Sequence, residues 1–334
     1  MKAIQYVDAN KISVNDIPMP EVKEGWGLIK VSHAGICGTD LNIYMGTHPR
    51  AKAPLVIGHE FSGVLENDVC GLKKGTRVTA YPLISCGNCT PCKEGNKHVC
   101  NTLGLYGIDA DGGMAEYVTI PGDQIIPIPD DMSDALGALL EPIAVCVHTL
   151  RERNFVPGNN ALVFGCGTIG LCLALTLRLF GARDIVLVET DEARIKIARE
   201  MGFEVVNTME TDIMEVVKEK TNGDGFDHVY DCAGVQPVAD MLLDTVKVKG
   251  QIVIVASYKK PPQLPLFKGM AKELSIEFVR VYRQSDFVVA AQIASKEPLF
   301  EKVITHVLPC DKAQEGFDLL FTKGTGAVKV MYKF

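Results

Sequence analysis

The sequence predicts an α/β protein made of a strand-rich domain followed by a doubly wound parallel sheet, and three observations carry that prediction. From Met1 to about Asp134 the chain runs in short Val/Ile-rich pieces cut by Gly and Pro, such as Gly27–Val31 and Glu116–Ile120. After Pro157-Gly158 short apolar runs alternate with longer amphipathic segments, the texture of repeated strand-helix-strand units. Between them, Cys86, Cys89, Cys92 and Cys100 sit with the spacing Cys-x2-Cys-x2-Cys-x7-Cys, close enough to close a tetrahedral zinc site.

The bulk numbers allow two domains. The chain has 334 residues, with 47% apolar and 22% charged side chains, an ordinary globular composition. A formal charge of -7, from 34 basic and 41 acidic residues without any Lys/Arg block, speaks against nucleic acid or an anionic membrane as partner. A small molecule is the expected partner. Eleven cysteines are an odd number at low density, and the start Met1–Asp8 has no apolar signal core, so the expected compartment is the cytoplasm. The uncharged run from Val156 to Leu177 has the length of a membrane span, but its glycines and the opening Pro157-Gly158-Asn159-Asn160 read as a buried strand, turn and helix.

The expected domains are 1–150, 151–284 and a tail, 285–334, that packs back on the first. Within the first, Cys37, His59 and Glu60 lie in apolar, glycine-flanked stretches. A thiolate, an imidazole and a carboxylate are what a catalytic zinc with an open position requires. Glu141 is an ionisable side chain inside the apolar run Ala135–Val145, where an unpaired charge would be costly, so it needs a partner such as a cation. The four-cysteine segment 86–100 is expected as a loop, because Gly87, Asn88, Thr90 and Pro91 are turn formers.

Strands of the second domain are expected at Ala161–Phe164, Asp184–Val188, Phe203–Val206, His228–Asp231, Gln251–Val255 and Ser275–Tyr282. Gly165-Cys166-Gly167-Thr168-Ile169-Gly170 follows the first of them and opens a helix, the context in which a Gly-x-Gly-x-x-Gly turn brings backbone N–H groups against a pyrophosphate. Glu189, at the end of the next strand, is placed to bond both hydroxyls of an adenosine ribose and to repel a 2′-phosphate. The expected cofactor is NAD rather than NADP, with Arg194 and Lys196 nearby leaving room for dual use. The tail beyond Gln284 reads as two helical stretches and a terminal strand, Val328–Tyr332.

Gly35-Ile36-Cys37-Gly38-Thr39-Asp40, Gly58-His59-Glu60, the four-cysteine segment, Gly112–Tyr117, Glu141-Pro142 and the glycine turn occur in one order along nearly the whole chain. Together they resemble the zinc-containing medium-chain dehydrogenase/reductase family, and the presence of Glu141 moves the resemblance toward sorbitol-like polyol, butanediol and threonine dehydrogenases. The resemblance implies a GroES-like catalytic domain and a Rossmann domain. It implies a catalytic zinc on Cys37 and His59, completed by Glu60 or Glu141 directly or through water, and a structural zinc on Cys86, Cys89, Cys92 and Cys100. Asp40 would orient His59, and Thr39 would take the substrate proton. Gly165, Gly167, Thr168, Ile169, Gly170, Glu189 and Arg194 would hold the cofactor, and hydride would pass to it in an interdomain cleft.

The family often has a histidine two residues beyond that Asp to pass the proton on, whereas this chain has Asn42, which cannot ionise. His48 or water would then take over the transfer. Arg280 and Tyr282 fall where the polyol branch places substrate contacts. The leading expectation is an NAD- and zinc-dependent oxidation of a secondary alcohol of a polyol, sugar or sugar acid. The runner-up is a threonine or vicinal-diol dehydrogenase, and the alternative of another class is a non-catalytic nucleotide-binding relative. A homo-oligomer is implied, commonly a tetramer in the polyol branch.

Overall fold

The computed structural model describes residues 1–334. The chain forms two compact units, Met1–Ala144 with Tyr282–Phe334, and Val145–Val281. The first division falls inside the helix Asp134–Glu152, not at 150, and the chain re-enters the first unit at Tyr282, not 285. The sequence could not mark that division, because the helix runs unbroken through it with Pro142 in its interior.

The first unit is organised by one long strand, Trp26–Gly35, whose alternate residues Gly27, Ile29 and Val31 are buried. It pairs antiparallel with Glu60–Leu65, with Tyr117–Pro121 and with the terminal strand Lys329–Lys333. Outside these lie Arg77–Ala80 and Ile125–Pro127 on one side and Ile304–Pro309 on the other, giving a seven-stranded sheet. Register matters for the site. Gly35 lies opposite both Glu60 and Met331, so Glu60 and Lys329 arrive from the two neighbouring strands beside the same glycine. A Cβ at Gly35 would stand 2.3 Å from Glu60 Oε2, so only glycine admits that carboxylate.

Two local differences from the sequence reading have simple causes. Ile304–Pro309 was not expected as a strand, since Thr305, His306 and a closing Pro309 hide its alternation. The cysteine segment is not all loop, because Pro91 starts a one-turn helix, Thr90–Lys93, and a 3₁₀ turn, Lys97–Val99, follows.

The second unit is a six-stranded parallel sheet in the order Glu204–Val206, Ile185–Val188, Ala161–Phe164, Phe226–Asp231, Val246–Ile254 and Ser275–Phe278. The central strand Ala161–Phe164 is fully buried, as a strand covered on both faces must be. This is the doubly wound order 3-2-1-4-5-6, with its switch point at the carboxyl end of Ala161–Phe164. The last strand stops at Phe278 rather than Tyr282, and Val281 then takes φ +47°. No helix is long and apolar enough to cross a membrane.

At the opposite end of this sheet His228 is buried. Its Nδ1 lies 3.1 Å from Gln251 Oε1 and its Nε2 3.0 Å from Asn159 Nδ2, which fixes the tautomer with hydrogen on Nδ1. Burial, the largest cause, lowers its pKa below 6.5; the neighbouring Asp227 and Lys247, paired with each other, act in opposite senses. The neutral ring is the form the fold prefers, so its stabilisation is complete above about 6.5 and is lost as pH falls toward the folded value. Thermal melts below pH 6.5 should therefore fall more steeply for the native chain than for His228→Gln. Parallel curves would remove His228 as the cause.

Candidate metal and dinucleotide sites

Cys37 is the residue before the helix Gly38–Tyr44, and Asp40 in the first turn of that helix accepts the Cys37 N–H through Oδ2 at 2.9 Å. His59 and Glu60 enter the strand Glu60–Leu65, 3% and 1% exposed. Ligand atoms of Cys37, His59 and Glu60 all lie within 4.8 Å of one another. Thr39 Oγ1 is 3.8 Å from Cys37 Sγ.

The pocket favours a cation. Burial opposes a charged His59, but Cys37, then Asp40 and Glu141, overrule it and hold its pKa well above the ordinary value. Burial, with Glu60 adding to it, pushes the Glu141 carboxyl up to about 7 against the opposing pull of His59 and Tyr282. His59 Nδ1 and Asp40 Oδ1 are both buried without a hydrogen-bond partner. Orphaned buried polar atoms are costly. A thiol, an imidazole and a carboxylate with ligand atoms within 4.8 Å of one another fit a bound zinc in donor type and number.

Not every expected contact is made. Asp40 forms no hydrogen bond to His59; its carboxylate caps the helix at Cys37 instead. Glu141 is not among the three clustered ligand atoms, and its Oε1 accepts the Tyr282 hydroxyl at 2.5 Å. Tyr282 is fully buried, so the expected substrate contact is corrected to a contact with Glu141. Arg280 is exposed and belongs to the other unit. His48 Nδ1 accepts the Ala51 N–H at 3.2 Å, so the neutral ring carries hydrogen on Nε2 and has no free lone pair to receive a proton. His48 is therefore withdrawn as proton acceptor, and water is left for that transfer.

One residue at the cluster was missed. Lys329, with a side chain 2% exposed, donates to Glu60 Oε2 at 2.5 Å and to the Ile36 carbonyl at 2.9 Å. A lone lysine in the apolar run Ala327–Met331 was the available signal, of the same kind that singles out Glu141.

The four sulfurs of Cys86, Cys89, Cys92 and Cys100 also lie within 4.8 Å of one another, with Cys89 and Cys100 Sγ 3.8 Å apart. The Cys86 N–H points at Cys100 Sγ at 3.3 Å and, as the largest cause, lowers the Cys100 thiol to about 6. A preformed thiolate of this kind suits a structural zinc.

In the second unit Gly165 takes φ +100° and Gly167 precedes the helix Thr168–Leu179. A Cβ on Gly170 would stand 1.7 Å from the Gly165 carbonyl, so the turn closes only with glycine there. Beside Gly167 the space is open, with Arg194 Nη1 at 4.0 Å from a Cβ built on it, and Thr168 and Ile169 begin the helix. Glu189 Oε2 accepts the Cys166 N–H at 2.9 Å, and Oε1 accepts Thr190 N–H at 2.7 Å. An open helix N-terminus, a cation and a fixed carboxylate fit the pyrophosphate and ribose of a dinucleotide.

Comparison with known proteins supports the same assignment of parts. Residues 23–130 match the alcohol dehydrogenase GroES-like domain and residues 168–296 the zinc-binding dehydrogenase domain. An L-threonine 3-dehydrogenase of Escherichia coli K12 is 34% identical over 98% of both chains. An alcohol dehydrogenase of Escherichia coli CFT073 complexed with NADH superposes with a TM-score of 0.91 at 29% identity, covering 100% of this chain and 99% of that one. A zinc-binding dehydrogenase of Sinorhizobium meliloti 1021 bound to NADP gives 0.92 at 28% identity over the same shares.

Proposed function

The chain belongs to the zinc-containing medium-chain dehydrogenase family, and from that premise we propose that it oxidises the secondary alcohol of a polyol, sugar or sugar acid to a ketone with NAD. The observation that carries the zinc-dependent oxidation of an alcohol is the convergence of Cys37, His59 and Glu60, with Glu141 close enough to interact electrostatically with His59 and Glu60.

Bound zinc would supply the Lewis acidity that makes a substrate hydroxyl acidic, and NAD the hydride acceptor. Cys37, His59 and Glu60 would hold the metal, while Lys329 balances the charge of Glu60. Thr39 takes the substrate hydroxyl's proton, and water carries it on past Asn42. The Gly165–Gly170 turn and Arg194 would hold the pyrophosphate. Glu189, whose Oε1 accepts the Thr190 and Asp191 N–H groups and whose Oε2 accepts the Cys166 N–H, would bond the adenosine ribose through the lone pair left on Oε2.

The second reading, L-threonine as substrate, is favoured by the threonine dehydrogenase relative. With Tyr282 spent on Glu141 and Arg280 exposed on the other unit, no residue-level contact favours a polyol over threonine. A non-catalytic relative has no use for so costly a buried ligand set. The deciding experiment is NAD and NADP reduction by zinc-loaded protein across polyols, sugar acids, vicinal diols and threonine. Turnover of one class names the substrate; silence across the panel with zinc and NAD bound rejects the polyol and threonine readings alike.

Glu189 sets the cofactor preference. Glu189→Ser should lower the ratio of kcat/KM for NAD over NADP by about tenfold or more, from loss of charge repulsion against the 2′-phosphate. An unchanged ratio removes Glu189 from that role. We also read the chain as a homo-oligomer, a tetramer or dimer. Ser275–Phe278 is an edge strand, and Leu266, Phe267, Met270 and Phe278 are exposed apolar side chains that a second copy would cover. Light scattering of the same preparation should give a multiple of 36.3 kDa.

A further inference from the structure

Resting on the reading of Cys37, His59 and Glu60 as a metal centre, we propose that Tyr282 is a positioning residue: its hydroxyl withholds Glu141 from ligation and so keeps one coordination position open. Two buried glutamates could complete the ligand shell, and a catalytic zinc that accepted both would lose the position its substrate needs. The chain handles them differently. Glu60 lies within ligand distance of Cys37 and His59 and is bonded to Lys329 through Oε2, an arrangement that leaves its other oxygen for a metal. Glu141 lies outside the ligand cluster and has Oε1 committed to the Tyr282 hydroxyl at 2.5 Å.

Tyr282 cannot easily follow Glu141 if that carboxylate moves. Its ring meets Phe287 edge-on at 4.9 Å between centroids and Tyr81 at 5.8 Å, and Tyr81 in turn meets Phe287 at 6.3 Å. The Tyr81 hydroxyl reaches back to the Tyr282 carbonyl at 3.4 Å. Three rings in edge contact, inclined at 68°, 76° and 87°, and complete burial hold this two-torsion side chain in place. The backbone is held as well, since the preceding Val281 sits at φ +47°, a conformation a β-branched residue adopts only when its surroundings impose it.

Glu141 is also constrained from its own side. It lies within the continuous helix Asp134–Glu152, so its backbone cannot shift toward the cluster unless the helix moves with it. Withholding is thus a property of a hydrogen bond between two rigid supports. Deleting the hydroxyl while keeping the ring should release the carboxylate and nothing else.

The test is Tyr282→Phe, with metal binding read separately from turnover. Released Glu141 should enter the shell, so removal of the catalytic-site metal by a chelator should slow by about tenfold, the size of effect that neighbours of metal ligands have on affinity. The visible spectrum of the cobalt-substituted protein should change as the Glu141 carboxylate replaces water in the open position. Turnover should fall at the same time. Glu141→Gln alone should leave the cobalt spectrum native, and Tyr282→Phe with Glu141→Gln should restore it. Faster metal loss, or an unchanged spectrum in Tyr282→Phe, overturns the proposal, as does a shifted spectrum in Glu141→Gln alone. Should Cys37→Ser bind cobalt with the native spectrum, the metal-centre reading itself fails, whatever Tyr282 does.

Discussion

Cys37→Ser is expected to abolish alcohol oxidation, lowering kcat/KM by about 10³-fold or more, while the protein keeps its fold and its four-cysteine metal. The magnitude follows from what a metal contributes. Lewis-acid stabilisation of a developing alkoxide is worth several kcal/mol, and each 1.36 kcal/mol is about a factor of ten in rate. A serine hydroxyl in place of the thiol is a poor zinc ligand, and the remaining His59 and Glu60 supply only two protein donors.

The accompanying measurement is metal content. Two clusters predict about two zinc equivalents per chain in the native protein and about one in Cys37→Ser, with the remaining one held by Cys86, Cys89, Cys92 and Cys100. Cys100→Ser should do the reverse, losing the other equivalent and with it thermal stability, because a structural zinc contributes folding energy outright. If Cys37→Ser retains near-native turnover, or both equivalents, the assignment of the reacting metal to this cluster is wrong.

The parts of the molecule that sequence reveals are those whose signal is local. Ala161–Phe164 and Ile185–Val188 announce themselves as unbroken apolar runs because both faces of a parallel sheet are covered. The Gly165–Gly170 turn is legible because the Gly170 position, 1.7 Å from a carbonyl, admits no other residue. Four cysteines are legible because they are near in sequence. By contrast, Glu60 and Lys329 are 269 positions apart and meet only through two strands flanking Trp26–Gly35.

Partners at such distances are set by register, which no window of sequence contains. The same holds for Tyr282 and Glu141, 141 positions apart. Sequence placed Tyr282 near the chemistry and could not show that its hydroxyl was already taken. Asp40 is the converse case: a carboxylate three residues past Cys37 is a capping position, and its Oδ2 makes that cap while Oδ1 bonds nothing.

The second large effect is expected at Lys329. Lys329→Met should destabilise the chain by about 3 kcal/mol or more, since removing one member of a buried ion pair leaves the other charge uncompensated. Both side chains are 2% exposed, so solvent cannot make up the loss. Burial works against a charged lysine here, yet Glu60 and Cys37 more than restore it and raise its pKa above 10.5. The ion pair's contribution is therefore fully present below that value and is lost only as pH rises through the higher folded one. At neutral pH the full penalty should be visible, with a melting temperature lower by roughly 10 °C.

Methionine matches the lysine stem and keeps the packing, so the loss reports the charge and not a cavity. The double variant Lys329→Met with Glu60→Gln separates the terms. If the penalty is Glu60 left alone, neutralising it should recover most of the stability, and the two single effects should fail to add by 2 kcal/mol or so. Additive losses would mean that Lys329 acts through its bond to the Ile36 carbonyl and not through Glu60. A bound zinc gives Glu60 a second cation, so the Lys329→Met penalty should shrink in metal-loaded protein relative to protein lacking that metal. That dependence joins the stability of the sheet to the occupancy of the site it carries.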